Sequence, residues 1–386
     1  MFGIASAGHA PASGRSLGVG VSRLAAGVAM CFALAASAWA DIKIGQTAGF
    51  TGTVASSVKE ATQGAKLYFD SVNAHGGING EALQLVSLDD KFDPKLAVAN
   101  AKTLIDEGVI TLFLNRGTPH TQAIMPLLTE YKVPLVGPST GAMVLHQPVH
   151  PWLFNVRATY QREAERAVAH LSLIGIDRIA IVQVDDSFGA DAVVGALKGM
   201  KGVNKQPVAH EKYDRSKPDF APIMPRIVDA NPQAVLFIGS GTAVVEGMKA
   251  LRAAGSRAQL VTLSNNASAG FIKDLGDLAH GVVVSQVYPY ERSIASPVVK
   301  EAMELARAAN IELTPTIIEG YVSAKVLVEG LRRASPQPTR DKLRRALEGM
   351  AHYDVGGLEL GYGPTDHTGL DYADLAIIGT DGRFRR

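Results

Sequence analysis

The chain has 386 residues, with 38 Lys and Arg against 37 Asp and Glu, and a single cysteine. A formal charge of +1 argues against binding nucleic acid through its phosphates, and one cysteine excludes an internal disulfide or a cysteine metal cluster. The length exceeds what one hydrophobic core usually serves, so two domains are expected.

The first forty residues read as a secretory signal peptide. They hold no acidic residue and two arginines, Arg15 and Arg23. An apolar run over 24–36 follows, then Ala38-Trp39-Ala40 ahead of Asp41. A positive leader, an apolar core and a small-x-small site predict cleavage after Ala40 and export to the periplasm. The apolar run is too short, and too rich in Ala and Gly, for a strong membrane span. The arginines are not paired, as a twin-arginine signal requires. Cys31 lies within the leader, and Val28-Ala29-Met30 before it does not resemble a lipoprotein cleavage box. The mature chain, 41–386, is thus expected to lack cysteine. Losing two arginines takes its formal charge from +1 to −1.

Beyond residue 40, short apolar runs alternate with helical patterns. Strands are predicted at 42–45, 83–88, 111–114 and 133–137, with helices at 59–73, 94–107 and 121–131 between them. The pattern then restarts. Helices are predicted at 162–173, 191–198, 220–230 and 242–254, and strands at 178–184, 234–239, 259–263 and 282–286. Helices at 297–309, 319–333 and 339–350 follow, the last with a poor capping box at Thr339 and Lys342. A final strand is predicted near 373–378. Alternating β and α segments imply parallel sheets flanked by helices, in two α/β halves joined near 155–160.

Ligands of such sheets sit beyond the carboxyl ends of the strands. The segments there are Asn115-Arg116-Gly117-Thr118, Gly137-Pro138-Ser139-Thr140-Gly141, Asp185-Asp186-Ser187-Phe188-Gly189, Gly239-Ser240-Gly241-Thr242 and Ser264-Asn265-Asn266. They are small, hydroxylic and amidic, and they lead into helices. Hydroxyls, backbone N–H groups and helix N-termini together suit a carboxylate. The same residues also serve as ordinary caps and turns, so the weight lies on their recurrence in both halves.

Rival motifs are weaker. Gly137-Pro138-Ser139-Thr140-Gly141 matches the nucleophile elbow G-x-S-x-G, but neither His280 nor His367 lies in a persuasive strand-end loop. His146 and His150 have metal-pair spacing, yet Pro148 and Pro151 break any helix there. No phosphate-binding G-x-x-x-x-G-K-[ST] and no usable G-x-G-x-x-G is present. No cofactor or metal is expected.

The chain resembles the branched-chain amino acid (leucine/isoleucine/valine) type of periplasmic binding protein, of type I fold. The resemblance rests on an ordered set of motifs across 41–386. It begins with Ile42-Lys43-Ile44-Gly45, Phe50-Thr51-Gly52, Gly64-Ala65 and Asn73-Ala74-His75-Gly76-Gly77-Ile78-Asn79-Gly80. Leu88-Asp89-Asp90, Asp93-Pro94 and Val133-Pro134-Leu135-Val136-Gly137-Pro138 follow. It ends with Asp186-Ser187-Phe188-Gly189, Arg252-Ala253-Ala254-Gly255 and Glu319-Gly320-Tyr321.

The resemblance implies two Rossmann-like lobes joined by a three-strand hinge, the first from 41–157 plus 288–351 and the second from 158–287 plus 352–386. It implies a non-enzymatic monomer that closes on a small ligand, an amino acid or related carboxylate, and hands it to an ABC permease. Thr118, Ser139 and Gly141 match the positions that hold a ligand carboxylate, Phe188 a ring against the ligand, and Tyr160 a pocket tyrosine. Three positions depart from the amino acid binders. Asn265 stands where they place an acid for the α-ammonium, and Ser240 and Ser57 stand where they place tyrosines. A carboxylate or amide without an α-amine is therefore expected, unless Asp185 or Asp186 substitutes. A ligand sensor of the same fold and a secreted serine hydrolase remain as alternatives, while an intracellular repressor is disfavoured by the leader.

Overall fold

The computed structural model describes residues 41–386; the expected leader, its cleavage site and Cys31 lie outside the described residues. The first sheet is built from β1 (Ile42–Ala48), β2 (Leu83–Asp89), β3 (Thr111–Phe113), β4 (Leu135–Val136) and β5 (Leu153–Phe154). The connecting helices are α1 (Ala55–Ala74), α2 (Pro94–Asp106) and α3 (Thr118–Glu130). Strand order is β2-β1-β3-β4-β5, with every pair parallel.

The second lobe continues with α4 (Tyr160–Leu173), β6 (Ile179–Val184), α5 (Ser187–Gly202), β7 (Ala209–Tyr213) and α6 (Met224–Asp229). Next come β8 (Ala234–Ile238), α7 (Thr242–Ala253), β9 (Gln259–Thr262), α8 (Ala269–Leu275) and β10 (Val283–Gln286). The chain then returns with α9 (Pro297–Ala308), α10 (Pro315–Arg333), α11 (Arg340–Glu348), β11 (Tyr353–Asp354) and β12 (Glu359–Leu360), and ends with β13 (Asp374–Ile378) and β14 (Phe384–Arg385). The second sheet runs β14-β13-β10-β9-β8-β6-β7. It is parallel from β7 to β10 and antiparallel where β13 joins β10 and β14 joins β13.

Local chemistry explains these elements and the differences from expectation. β6 and β8 are buried at every residue, as central parallel strands covered on both faces are. β7 escaped the sequence reading because Ala209-His210-Glu211-Lys212-Tyr213 has no apolar run; it is the edge strand of its sheet. α3 starts at Thr118 rather than 121, with Pro119 in its first turn. α5 starts at Ser187 rather than 191, because Asp186 caps it by accepting from the N–H groups of Phe188 (2.9 Å) and Gly189 (3.1 Å). α6 is shorter than expected and opens at Met224-Pro225. Thr339 caps α11 through the N–H of Lys342 at 3.2 Å, without the reciprocal bond a Glu or Gln would add.

The first sheet carries helices on both faces. Residues of α2 and α3 pack on one side with Leu112 and Leu135, and those of α1, α9 and α10 on the other with Phe113 and Val136. α1 and α10 meet backbone to backbone. A Cβ on Gly320 would lie 1.7 Å from the carbonyl oxygen of Ala61, and one on Gly64 1.9 Å from that of Ile317.

The last crossing differs from the expected boundary. The segment after residue 352 stays with the first lobe, where Val355, Leu358, Leu360, Tyr362 and Leu370 share a core with Phe113 and Val136. Leu370 N–H donates to Val156 at 2.9 Å, beside the first crossing strand, and the chain enters the second sheet only at Asp374. Apolar residues spaced through the Gly-rich stretch hold it there.

Arg157, on the first crossing, ties the lobes together. Its side chain is 1% exposed and pairs with Glu163 on α4, whose side chain is fully buried. Nη2 of Arg157 also donates to Ser264 Oγ at 2.8 Å. The Glu163 carboxylate accepts from Ser264 N–H (3.0 Å) and Ser285 Oγ (2.6 Å), after β9 and within β10. Nη1 lies 4.0 Å from the carboxylate of Glu319 on α10, in the first lobe. Burial opposes the charge on Arg157, but Glu163, with Tyr160 and Glu319, outweighs it and pushes the pKa up.

Two stability predictions result. Gly320→Ala forces α1 and α10 apart and is expected to cost about 3 kcal/mol, read as a lowered urea midpoint. Glu163→Gln leaves Arg157 buried without its closest counter-charge and is expected to cost roughly 3–5 kcal/mol. Unchanged urea unfolding of Glu163→Gln would refute the role given to this pair.

Candidate functional site

The carboxyl ends of β3 and β4 in one lobe face those of β8 and β9 in the other across Arg116. After β3 the backbone turns through Leu114 (φ 50°) and Gly117 (φ 96°). Between them Asn115 accepts from Ser139 N–H at 2.8 Å, so that Arg116 pairs with Ser139 as neighbouring strands do. A Cβ at residue 117 would stand 2.6 Å from the His120 ring, so glycine is needed both for the φ and for the space.

Arg116 is 3% exposed. Nη1 donates to Ser139 Oγ at 2.9 Å, and Nη2 crosses the cleft to the backbone oxygen of Asn265 at 2.7 Å. Among the described residues no carboxylate lies within 4.0 Å of it, in contrast to Arg157. Burial pushes the pKa of Arg116 down. The Ser139 hydroxyl in turn donates to Glu319 at 2.8 Å, linking the site to the Arg157 network.

The expected site residues differ in what they touch. Ser139, Asn265 and Ser240 join the Arg116 cluster, with Asn265 Nδ2 donating to Gly239 O (2.8 Å) and Ser240 Oγ (3.2 Å). Tyr160 and Phe188 pack on each other in the core of the second lobe. Their ring centroids are 4.5 Å apart, and the Arg157 guanidinium stacks on Tyr160 at 4.6 Å. Gly141 lends no side chain; its place is set by the crossing strand, since a Cβ would lie 2.5 Å from Ala158 O. The Thr118 and Thr140 hydroxyls bond each other at 2.7 Å, next in sequence to the Arg116–Ser139 pair. Ser57 is turned to its own helix, donating to Val54 O at 2.9 Å.

Neither aspartate considered as an ammonium partner is free for that role. Asp185 pairs with Lys212 at 2.9 Å, and Asp186 caps α5 and pairs with Arg215. Ser139, the serine of the apparent nucleophile elbow, has Arg116 and Glu319 as side-chain partners and no histidine. His146 and His150 do not act as a pair: His150 bonds Thr129 at 3.0 Å, and both ring nitrogens of buried His146 lack partners.

Arg116, Arg157, Glu163 and Glu319 were all missed as site residues. Arg116 lies in a strand-end segment singled out from the sequence, but a lone arginine in a polar loop gives no sign of being buried. The lobes also meet away from Arg116. Glu60 on α1 accepts from the N–H groups of Ala269 (3.1 Å) and Gly270 (3.2 Å) at the start of α8, and from Thr314 Oγ1 at 2.8 Å.

Known proteins share this fold. A family model described as periplasmic binding protein matches residues 41–383. A substrate-binding periplasmic protein from Ralstonia solanacearum superposes with a TM-score of 0.82 at 32% identity, over 89% of this chain and 99% of that one. A possible leucine/isoleucine/valine-binding protein from Rhodopirellula baltica gives 0.84 at 26% identity, over 90% and 97%. The Leu/Ile/Val-binding protein of Escherichia coli is 25% identical over 281 residues, 72% of this chain and 77% of its own. These relatives are binding proteins rather than enzymes, and with its two-lobed, mostly parallel α/β fold the chain belongs to the periplasmic binding protein family.

Proposed function

We propose that this protein captures a small carboxylate between its lobes in the periplasm and delivers it to an ABC permease. The observation that carries this reading is Arg116, a buried guanidinium at the lobe interface held only by a serine hydroxyl and a backbone oxygen. A buried cation without a counter-charge is costly. A ligand carboxylate supplies that charge, with bidentate geometry that suits a guanidinium.

Ser139 Oγ stands beside Arg116, and Tyr160 with Phe188 offers an apolar wall to the rest of the ligand. Asn265 is neutral, and the nearby acids are engaged, Glu163 by Arg157 and Glu319 by Ser139. An acid without an α-ammonium therefore suits the site better than a free amino acid. Contacts from both lobes make the closed state the better binder, so the ligand drives closure. The closed outer surface is what the permease would recognise.

Thermal-shift screening of amino acids, aliphatic and aromatic acids and their amides tests this, because a ligand that binds only the folded state raises Tm. At least one acid is expected to stabilise the protein while its amide does not. Arg116→Gln is expected to weaken that acid by about 2–5 kcal/mol in calorimetry. An uncharged ligand bound equally well by both proteins would overturn the assignment.

A further inference from the structure

Asn265 lies in the short turn Ser264–Asn266 after β9 and is 3% exposed. Its side-chain amide is oriented by its surroundings. The carbonyl oxygen of Gly239, 2.8 Å away, can only accept, so the atom facing it must be the NH2 group. Ser240 Oγ, at 3.2 Å, takes the second donor. With both donors engaged, Oδ1 is held turned away from Gly239 and Ser240. That oxygen is buried and accepts no hydrogen bond. The backbone oxygen of the same residue receives Arg116 Nη2 at 2.7 Å. One residue thus touches the unpaired guanidinium and presents an unused acceptor.

Native proteins seldom leave a buried acceptor unpaired without a reason. A ligand group that donates to Oδ1 would satisfy it. The acceptor is a neutral amide oxygen, so it suits a neutral O–H; a buried ammonium would demand an opposite charge that Asn265 does not carry. We propose that the ligand is a hydroxy acid: Arg116 takes its carboxylate and Asn265 Oδ1 accepts its hydroxyl hydrogen. Asn265 then selects hydroxy acids over their deoxy and amino counterparts. This rests on the carboxylate reading of Arg116 and adds a second contact to it.

Matched probes test it by calorimetry. One series is 4-methylpentanoate, 2-hydroxy-4-methylpentanoate and leucine; another is phenylacetate, mandelate and phenylglycine. Benzoate with 4-hydroxybenzoate places the hydroxyl far from the acid, and mandelamide removes the carboxylate. In a series that binds, the hydroxy acid is expected to bind about ten- to a hundredfold tighter than the deoxy acid. In Asn265→Leu that ratio is expected to fall below about threefold, the contact being gone. In Asn265→Asp the amino acid is expected to gain on the hydroxy acid, because a carboxylate now meets the ammonium. Should Asn265→Leu fail to fold, the nearly isosteric Asn265→Asp carries the test.

Equal binding of deoxy and hydroxy acids by the wild type, or a hydroxyl preference that survives Asn265→Leu, overturns this inference and leaves the carboxylate reading standing. Mandelamide binding as tightly as mandelate, with the hydroxyl preference still dependent on Asn265, overturns the carboxylate reading instead. Failure of every acid to bind overturns both.

Discussion

The pairing of Arg157 with Glu163 is the interaction on which the two-lobed arrangement depends. Arg157 sits on the first strand that leaves one lobe for the other, and Glu163 lies within the helix that strand enters. Their partners Ser264 and Ser285 belong to the second lobe, and Glu319 to the first. Two opposite charges out of water hold only when they are close and their remaining hydrogen-bonding capacity is used. Glu163 meets that condition with two further donors, Ser264 N–H and Ser285 Oγ. The crossing strand is thereby pinned where the ends of β9 and β10 approach it. Gly141 yields room to the same strand, for no side chain fits between it and Ala158.

From that anchor the polar network reaches the cleft by one step, Glu319 to Ser139, and ends at Arg116. The two arginines make the division of labour visible. Arg157 is satisfied by an acid of its own chain and acts as structure. Arg116 is equally buried, bonds only neutral groups and spans both lobes. The same side chain type is ion-paired in one place and bonded only to neutral groups in the other, and the difference lies wholly in what surrounds it. The lobes also meet through contacts that do not involve Arg116, such as Glu60 against the first N–H groups of α8.

The alternation of strands and helices was legible because each is a local pattern of apolar spacing. The segment β8 is a continuous apolar run, β6 is one but for Gln183, and α10 follows a helical period. What local pattern missed has a common cause. The edge strand β7 is polar on one face, so its sequence does not announce a strand. The start of α5 lies four residues before the expected one because Asp186 caps it, a role that the apolar spacing does not show. Residues 353–372 belong to the first lobe rather than the second, and no local pattern shows it, because Val355, Leu360 and Leu370 are separated by glycines and have no period.

The sequence by itself determined the α/β class, the doubling into two halves and the polar segments that follow the strands, because these follow from spacing along the chain and from the family motifs. It marked Ser139, Ser240 and Asn265, which hydrogen-bond within the Arg116 cluster, and Tyr160 and Phe188, whose rings pack on each other. Only the tertiary structure decided which polar groups are spent and which are free. Asp185, Asp186 and Ser57 are engaged elsewhere, while Arg116 is buried and bonded only to neutral groups, and the buried Oδ1 of Asn265 has no hydrogen-bond partner. Burial and pairing are properties of residues distant in sequence, 149 positions apart for Arg116 and Asn265, and no local pattern encodes them.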